Sequence, residues 1–278
     1  MEVGVFIFAT GYSIRTDELA TALEERGFES LWVPEHTHIP TSRLSPFPGG
    51  GELPREYKST LDPFVSLSFA AAVTKTLKIG TGICLLPQRD PIVTAKAVAS
   101  LDQMSGGRFM FGLGGGWNVE EMNNHGAQYK TRFKLLEERV MAMKALWTEE
   151  EAAYHGDFVN FDAAWAEPKP YQQPHPPILL GGETDYTLDR VCRFCDGWFP
   201  RARGGFDPAV EMGRFRAAAE KAGRDASQMS ASVFGTPPKP EVLESYREAG
   251  ITRAILPLPP VASDEILPRL DRYAELLK

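Results

Sequence analysis

Two histidines one residue apart, His36 and His38, stand where the strand-like run Ser30–Pro34 gives way to a loop. An imidazole titrates near neutrality, so a histidine in a cleft is suited to moving a proton to or from a bound molecule. The H-x-H spacing also projects both rings to one side, as a pair of metal ligands requires. A metal centre needs further ligands, and the later strand ends, Gly181-Gly182 and Trp198-Phe199, supply none, so no metal is expected. His36 is the candidate proton donor or acceptor; the plainer alternative is that it only hydrogen-bonds the following loop.

Glycine marks two further places. Gly114-Gly115-Gly116-Trp117-Asn118 follows the run Arg108–Leu113. Residues without Cβ let a flat ring or a phosphate approach the backbone, and Trp117 can wall the pocket, although such a run also suits a tight turn. Pro177-Ile178-Leu179-Leu180-Gly181-Gly182-Glu183-Thr184 passes from a strand into a helix near Thr184. Backbone N–H groups at a helix start bind phosphate, and a bulky side chain at Gly182 is expected to occupy that position. Simple capping by Thr184 explains the same pattern. Neither place has the G-x-G-x-x-G or the P-loop lysine of an NAD or ATP site, which leaves a mononucleotide-like phosphate. No lysine ends a strand and no serine sits in a G-x-S-x-G elbow, which removes Schiff-base and serine-hydrolase chemistry.

The elements that position these residues alternate from end to end. Strand-like runs occur at Val3–Phe8, Ser30–Pro34, Leu77–Ile83, Arg108–Gly114, Pro177–Gly181, Gly197–Pro200, Ser230–Phe234 and Arg253–Leu256. Helical periods fall at about 17–27, 62–74, 91–104, 131–148, 184–194, 207–222, 239–249 and 264–277. Eight strand–helix units predict an α/β fold, a (β/α)8 TIM barrel spanning 1–278 as one domain, whose functional groups lie at the C-terminal strand ends. Two stretches exceed the repeat. Residues 37–60, rich in Pro, Gly and Ser, are too long for a βα loop and predict a lid over the mouth. A small hairpin about Gly156-Asp157 precedes the fifth strand, followed by a proline-rich descent.

Composition narrows the partners. Over 278 residues, 30 basic and 37 acidic side chains give a formal charge of −7, which offers no field for nucleic acid or an anionic membrane. Three cysteines, Cys84, Cys192 and Cys195, are too few and too odd in number for a disulfide framework; Cys192-x-x-Cys195 lacks a second ligand pair and reads as helix packing. With no signal-like start and no apolar run of the roughly 20 residues a spanning helix needs, a cytoplasmic location is expected.

Taken in order, several segments resemble the luciferase-like monooxygenase superfamily. They are Glu25-Arg26-Gly27-Phe28-Glu29-Ser30-Leu31-Trp32-Val33-Pro34-Glu35-His36, Asp62-Pro63-Phe64, Ile79-Gly80-Thr81-Gly82-Ile83, Pro87-Gln88-Arg89-Asp90-Pro91, Leu101 to Arg108, Gly112 to Asn118, Pro168-Lys169-Pro170, Pro174 to Ile178, Gly181-Gly182 and Asp196-Gly197-Trp198. Within it the chain is similar to the branch using coenzyme F420, a deazaflavin that carries hydride. The resemblance implies an F420-dependent oxidoreductase acting on a small organic substrate, with His36 transferring the proton. It implies a non-prolyl cis peptide at Gly82-Ile83 behind the cofactor ring, Gly115, Gly116 and Trp117 along it, and Gly181, Gly182, Glu183 and Thr184 at its phosphate. Where sugar-oxidising relatives carry a Glu, this chain has Trp117, so a His–carboxylate pair and a sugar phosphate substrate are not expected. Arg43, Arg89, Arg201 and Arg203 are candidate rim contacts for the polyanionic cofactor tail. A monooxygenase using reduced FMN and oxygen, and a non-catalytic cofactor-binding barrel, are the alternatives. A homodimer is expected on the same resemblance.

Overall fold

Asp62-Pro63, Asp90-Pro91 and Asp207-Pro208 each open a helix in the computed structural model, which describes all residues 1–278. In each pair the aspartate accepts hydrogen bonds from first-turn N–H groups, and the proline takes the first helical position, where no N–H is needed. The full order is β1 (Glu2–Phe6), α1 (Thr16–Glu25), β2 (Ser30–Val33), α2 (Pro63–Val73), β3 (Lys78–Thr81), α3 (Pro91–Ser105), β4 (Phe109–Leu113), α4 (Val119–Asn124) and α5 (Arg132–Thr148). It continues with β5 (Ala152–His155), β6 (Asn160–Ala164), β7 (Ile178–Gly181), α6 (Asp185–Phe194), β8 (Gly197–Phe199), α7 (Pro208–Lys221), β9 (Ser230–Phe234), α8 (Pro240–Ala249), β10 (Arg253–Pro257) and α9 (Ser263–Ala274).

Eight parallel strands close in the order β1-β10-β9-β8-β7-β4-β3-β2, so the expected (β/α)8 barrel is present. β5 and β6 pair antiparallel as the expected hairpin outside it. Some details differ from expectation. β1 stops at Phe6 and β3 at Thr81, short of the expected Phe8 and Ile83, and α4 was not foreseen.

Inside the barrel Phe6, Trp32, Met110, Leu179, Phe199 and Ile255 pack together. Trp32 is fully buried, and its indole N–H donates to Ser30 Oγ at 2.9 Å. The ring leaves no room at residue 80: a Cβ there would come within 2.5 Å of it, which is why glycine stands in that strand. A larger apolar layer, including Leu19, Leu67, Val98, Leu136 and Phe215, joins the helices to the outside of the strands.

At the N-terminal end, Arg253 of β10 donates from Nε to Glu29 at 2.7 Å, and Lys78 of β3 sits 3.0 Å from the same carboxylate. Burial raises the Glu29 carboxyl, but Arg253 and Lys78 outweigh it and hold the group at about 2. At the C-terminal end the 37–60 insertion is tied down twice. Ser45 Oγ accepts from Val119 N–H at 3.0 Å, and just past its far end Leu61 N–H donates to the Ala9 carbonyl at 2.8 Å. Cys192 and Cys195 are buried and unpaired with thiols pushed up by burial, as helix packing requires. No helix is long and apolar enough to cross a membrane.

Candidate active site

A cavity of about 290 Å³ opens at the C-terminal strand ends. Its backbone wall is Gly82–Ile83, Gly114–Gly116 and Gly181-Gly182, and its side chains include His36, Tyr57, Trp117 and Phe133. A second hollow of similar volume lies around Lys78, Arg108 and Arg253 at the opposite end, away from every strand terminus where a barrel keeps its functional groups.

His36 follows β2, and its side chain is only 6% exposed. Its Nδ1 lies 2.8 Å from Oε2 of Glu121, which is completely buried, and the other carboxylate oxygen accepts from Thr37 N–H at 3.1 Å. An ionised carboxylate only accepts, so Nδ1 carries a proton and Nε2 keeps its lone pair for the cavity. A second proton turns Nε2 into a donor. The pair can therefore take a proton from a bound molecule or return one.

Glu121 was missed from the sequence, and the expectation that no carboxylate would pair with His36 is corrected: it comes from α4, four residues beyond Trp117. A readable signal existed. Asn118 caps α4 by accepting from Glu121 N–H at 3.0 Å, the N-x-x-E pattern of a capping box. In such a box the glutamate turns back to the cap; here it is diverted to His36. The Glu35 carboxylate, in the loop just past β2, is spent on other partners, accepting from Leu85 N–H at 2.7 Å and pairing with Arg89. Arg89 also binds Asp62 at 2.6 Å, so it is an internal brace and not a rim contact. His38 turns out of the cavity into a cluster with Thr37, Asn124 and His125. No group of three or more His, Cys, Asp or Glu is arranged to hold a metal ion.

The other candidates fall along the backbone wall. The Gly82–Ile83 peptide is cis. Gly115 and Gly116 follow β4, and the Trp117 ring centre lies 5.8 Å from that of His36. Gly182 has φ +132°, and a Cβ there would meet Thr187 Oγ1 at 2.7 Å. A side chain at 182 would thus run into the first turn of α6 as well, so a substitution there would disturb the helix start itself. Glu183 binds Arg201 through both carboxylate oxygens, at 2.7 and 2.8 Å. Burial raises the Glu183 carboxyl, but the Arg201 bonds outweigh it and hold it below the usual range. Arg201 is therefore not a free cation. Arg203 reaches the Pro48 carbonyl at 3.4 Å, and Arg43 is exposed on the insertion. Thr184 caps α6, accepting from Thr187 N–H at 3.2 Å. The N–H groups of Gly182, Glu183 and Thr184 make no hydrogen bond within the protein.

Comparison with known proteins places this geometry. The model of the luciferase-like monooxygenase family matches residues 1–253. The chain belongs to that family. Protein Rv0953c of Mycobacterium tuberculosis (strain ATCC 25618 / H37Rv) is 38% identical over all of this chain and 99% of its own length. The FMNH(2)-dependent dimethylsulfone monooxygenase of Pseudomonas putida is 34% identical over 56% of this chain and 44% of its own. The F420-dependent hydroxymycolic acid dehydrogenase of M. tuberculosis is 28% identical over 81% of this chain and 60% of its own. Among solved structures, the monooxygenase RslO1 from Streptomyces bottropensis superposes with a TM-score of 0.79 at 20% identity, covering 100% of this chain and 98% of that one. An F420-dependent secondary alcohol dehydrogenase in complex with an F420-acetone adduct gives 0.77 at 20% identity, covering 99% and 97%. Family members thus include both deazaflavin and flavin enzymes, and this chain is an oxidoreductase or monooxygenase of that type.

Proposed function

We propose that the protein transfers a hydride between a deazaflavin of the F420 type and a small organic substrate, with His36 accepting or donating the accompanying proton. The observation that carries this reading is the 2.8 Å contact between His36 Nδ1 and the buried Glu121 at the cavity wall. It fixes the imidazole so that one nitrogen alone faces a bound molecule.

The residues present fit such a cofactor. Three unpaired N–H groups at the start of the ten-residue helix α6, those of Gly182, Glu183 and Thr184, suit a phosphate. Gly82, Ile83, Gly115, Gly116 and Trp117 would line a planar ring, with Gly181 leading into the phosphate position. When bound, the cofactor supplies the hydride chemistry; the chain supplies orientation, exclusion of water and proton transfer. Relatives named for F420 and for reduced FMN both exist; Arg201 beside the second glycine site is paired with Glu183, while Arg132 and Arg190, which flank the cavity residue Phe133 without a carboxylate partner, would suit the phosphate of either cofactor. Three unpaired cysteines suit a reducing cytoplasm.

Parallel absorbance titrations with F420 and with FMN test the choice. Tighter binding of F420 is expected. Tighter binding of FMN, together with oxygen uptake once it is reduced, would replace this reading with a flavin monooxygenase.

A further inference from the structure

Beside the glycine backbone, the cavity has a second wall made of rings. The ring centre of Tyr57 lies 5.4 Å from that of His36, and Trp117 lies 5.8 Å from it on another side. Phe47 joins them, 5.0 Å from Tyr57 and 6.1 Å from Trp117, while Phe8 meets Tyr57 at 4.7 Å. Phe47 and Tyr57 both come from the 37–60 insertion, which Ser45 anchors to the start of α4. The rings are therefore set in place by hydrogen bonds to the barrel and not draped over it.

The carboxylates around these rings are all committed. Glu121 serves His36 and Thr37, Glu35 serves Arg89 and Leu85, and Arg201 serves Glu183. Arg203 has no carboxylate partner; it stands on an exposed loop, outside the cavity wall but near enough to act on Tyr57. Three polar atoms of the group lack a hydrogen-bond partner in the protein: His36 Nε2, the Tyr57 hydroxyl and the Trp117 indole N–H. Burial pushes the Tyr57 phenol up, against the pull of Arg203 and Arg201, so at neutral pH it remains an O–H donor. A phosphate or carboxylate brought among these rings would lose hydration and find only the solvent-exposed Arg203 at their edge as an unpaired counter-charge, which water screens. An apolar ring would gain burial and edge-to-face contacts.

Resting on the reading of His36 as the proton-handling group, we infer that the substrate is uncharged and carries an aryl or alicyclic group beside a single hydroxyl or carbonyl oxygen. The ring sits among Phe47, Tyr57 and Trp117, with the oxygen within reach of His36 and Tyr57. The insertion, not the barrel, selects it.

Isothermal titration of acetophenone and of glucose 6-phosphate into the protein, alone and loaded with F420 or FMN, tests this. Acetophenone should bind about tenfold or more tighter than the sugar phosphate. Phe47→Ala and Tyr57→Ala should each weaken it about tenfold, with Tyr57→Phe weakening it less, since that change removes only the hydroxyl. If an alanine variant fails to fold by circular dichroism, Phe47→Leu and Tyr57→Leu replace it, because they keep apolar bulk but lose the ring. Preferred binding of glucose 6-phosphate, no binding of acetophenone, or variants that match the wild type would overturn the inference. Cofactor binding without acetophenone binding defeats the substrate assignment alone; acetophenone binding by a protein that takes up neither F420 nor FMN defeats the hydride-transfer reading alone.

Discussion

His36 can act in either direction because Glu121 takes one nitrogen and leaves the other free. Replacing His36 by Ala should lower turnover by about 10²–10⁴-fold with cofactor affinity nearly unchanged, the share of a general acid or base. A steady-state assay across pH 5–8 checks this, and a variant as fast as the wild type would reduce His36 to a loop contact. Glu121→Gln keeps the shape and the bond to Thr37 N–H, but an amide no longer compels the same imidazole tautomer. Turnover should fall by about 10–100-fold while thermal stability changes little. A loss of stability without a change in rate would make Glu121 structural. His36 was legible because it stands at the end of a strand that its own neighbours in the chain define. Its partner was not, since Glu121 lies 85 residues away and only the folded chain joins them.

The Asp-Pro starts and the alternation of strand and helix were readable because they are local: a cap, a fixed φ and a hydrophobic period act within a few residues. α4 escaped because six residues give too short a period to detect. The rings of Phe47 and Tyr57 escaped because a proline-rich insertion has no period at all, and only its anchors on Val119 and Ala9 place it. Barrel closure makes a pH prediction. Glu29 is held at about 2 against an ordinary 4.5, so its pairing with Arg253 stabilises the fold fully above about pH 4.5 and is lost as pH falls toward 2. The contribution is on the order of 3 kcal/mol. Urea unfolding from pH 6 to pH 2.5 should show the loss, and Glu29→Gln should flatten it; an equally steep profile in the variant would place the acid sensitivity elsewhere.

At the scale of the molecule, the outer face of α2 carries Val65, Phe69 and Val73 at 60, 55 and 47% exposure, four residues apart, with Leu61 at 46% just before the helix. A helix apolar on its outer as well as its inner face is expected to be covered. We propose that it joins two copies of the chain in a homodimer about a twofold axis. Sedimentation should give a dimer for the wild type and a 30.8 kDa particle for Phe69→Glu; a wild-type monomer at micromolar concentration would refute it. The barrel was legible at this scale because eight units repeat one pattern. The cofactor class, deazaflavin or flavin, was legible only through resemblance, since two glycine turns and a helix start fit more than one phosphate. Equilibrium dialysis of wild-type protein and His36→Ala against F420 and FMN together separates holding the cofactor from handling the proton. F420 should be retained equally by both proteins with FMN excluded; displacement of F420 by FMN, or retention of neither, would contradict deazaflavin-dependent hydride transfer at this site.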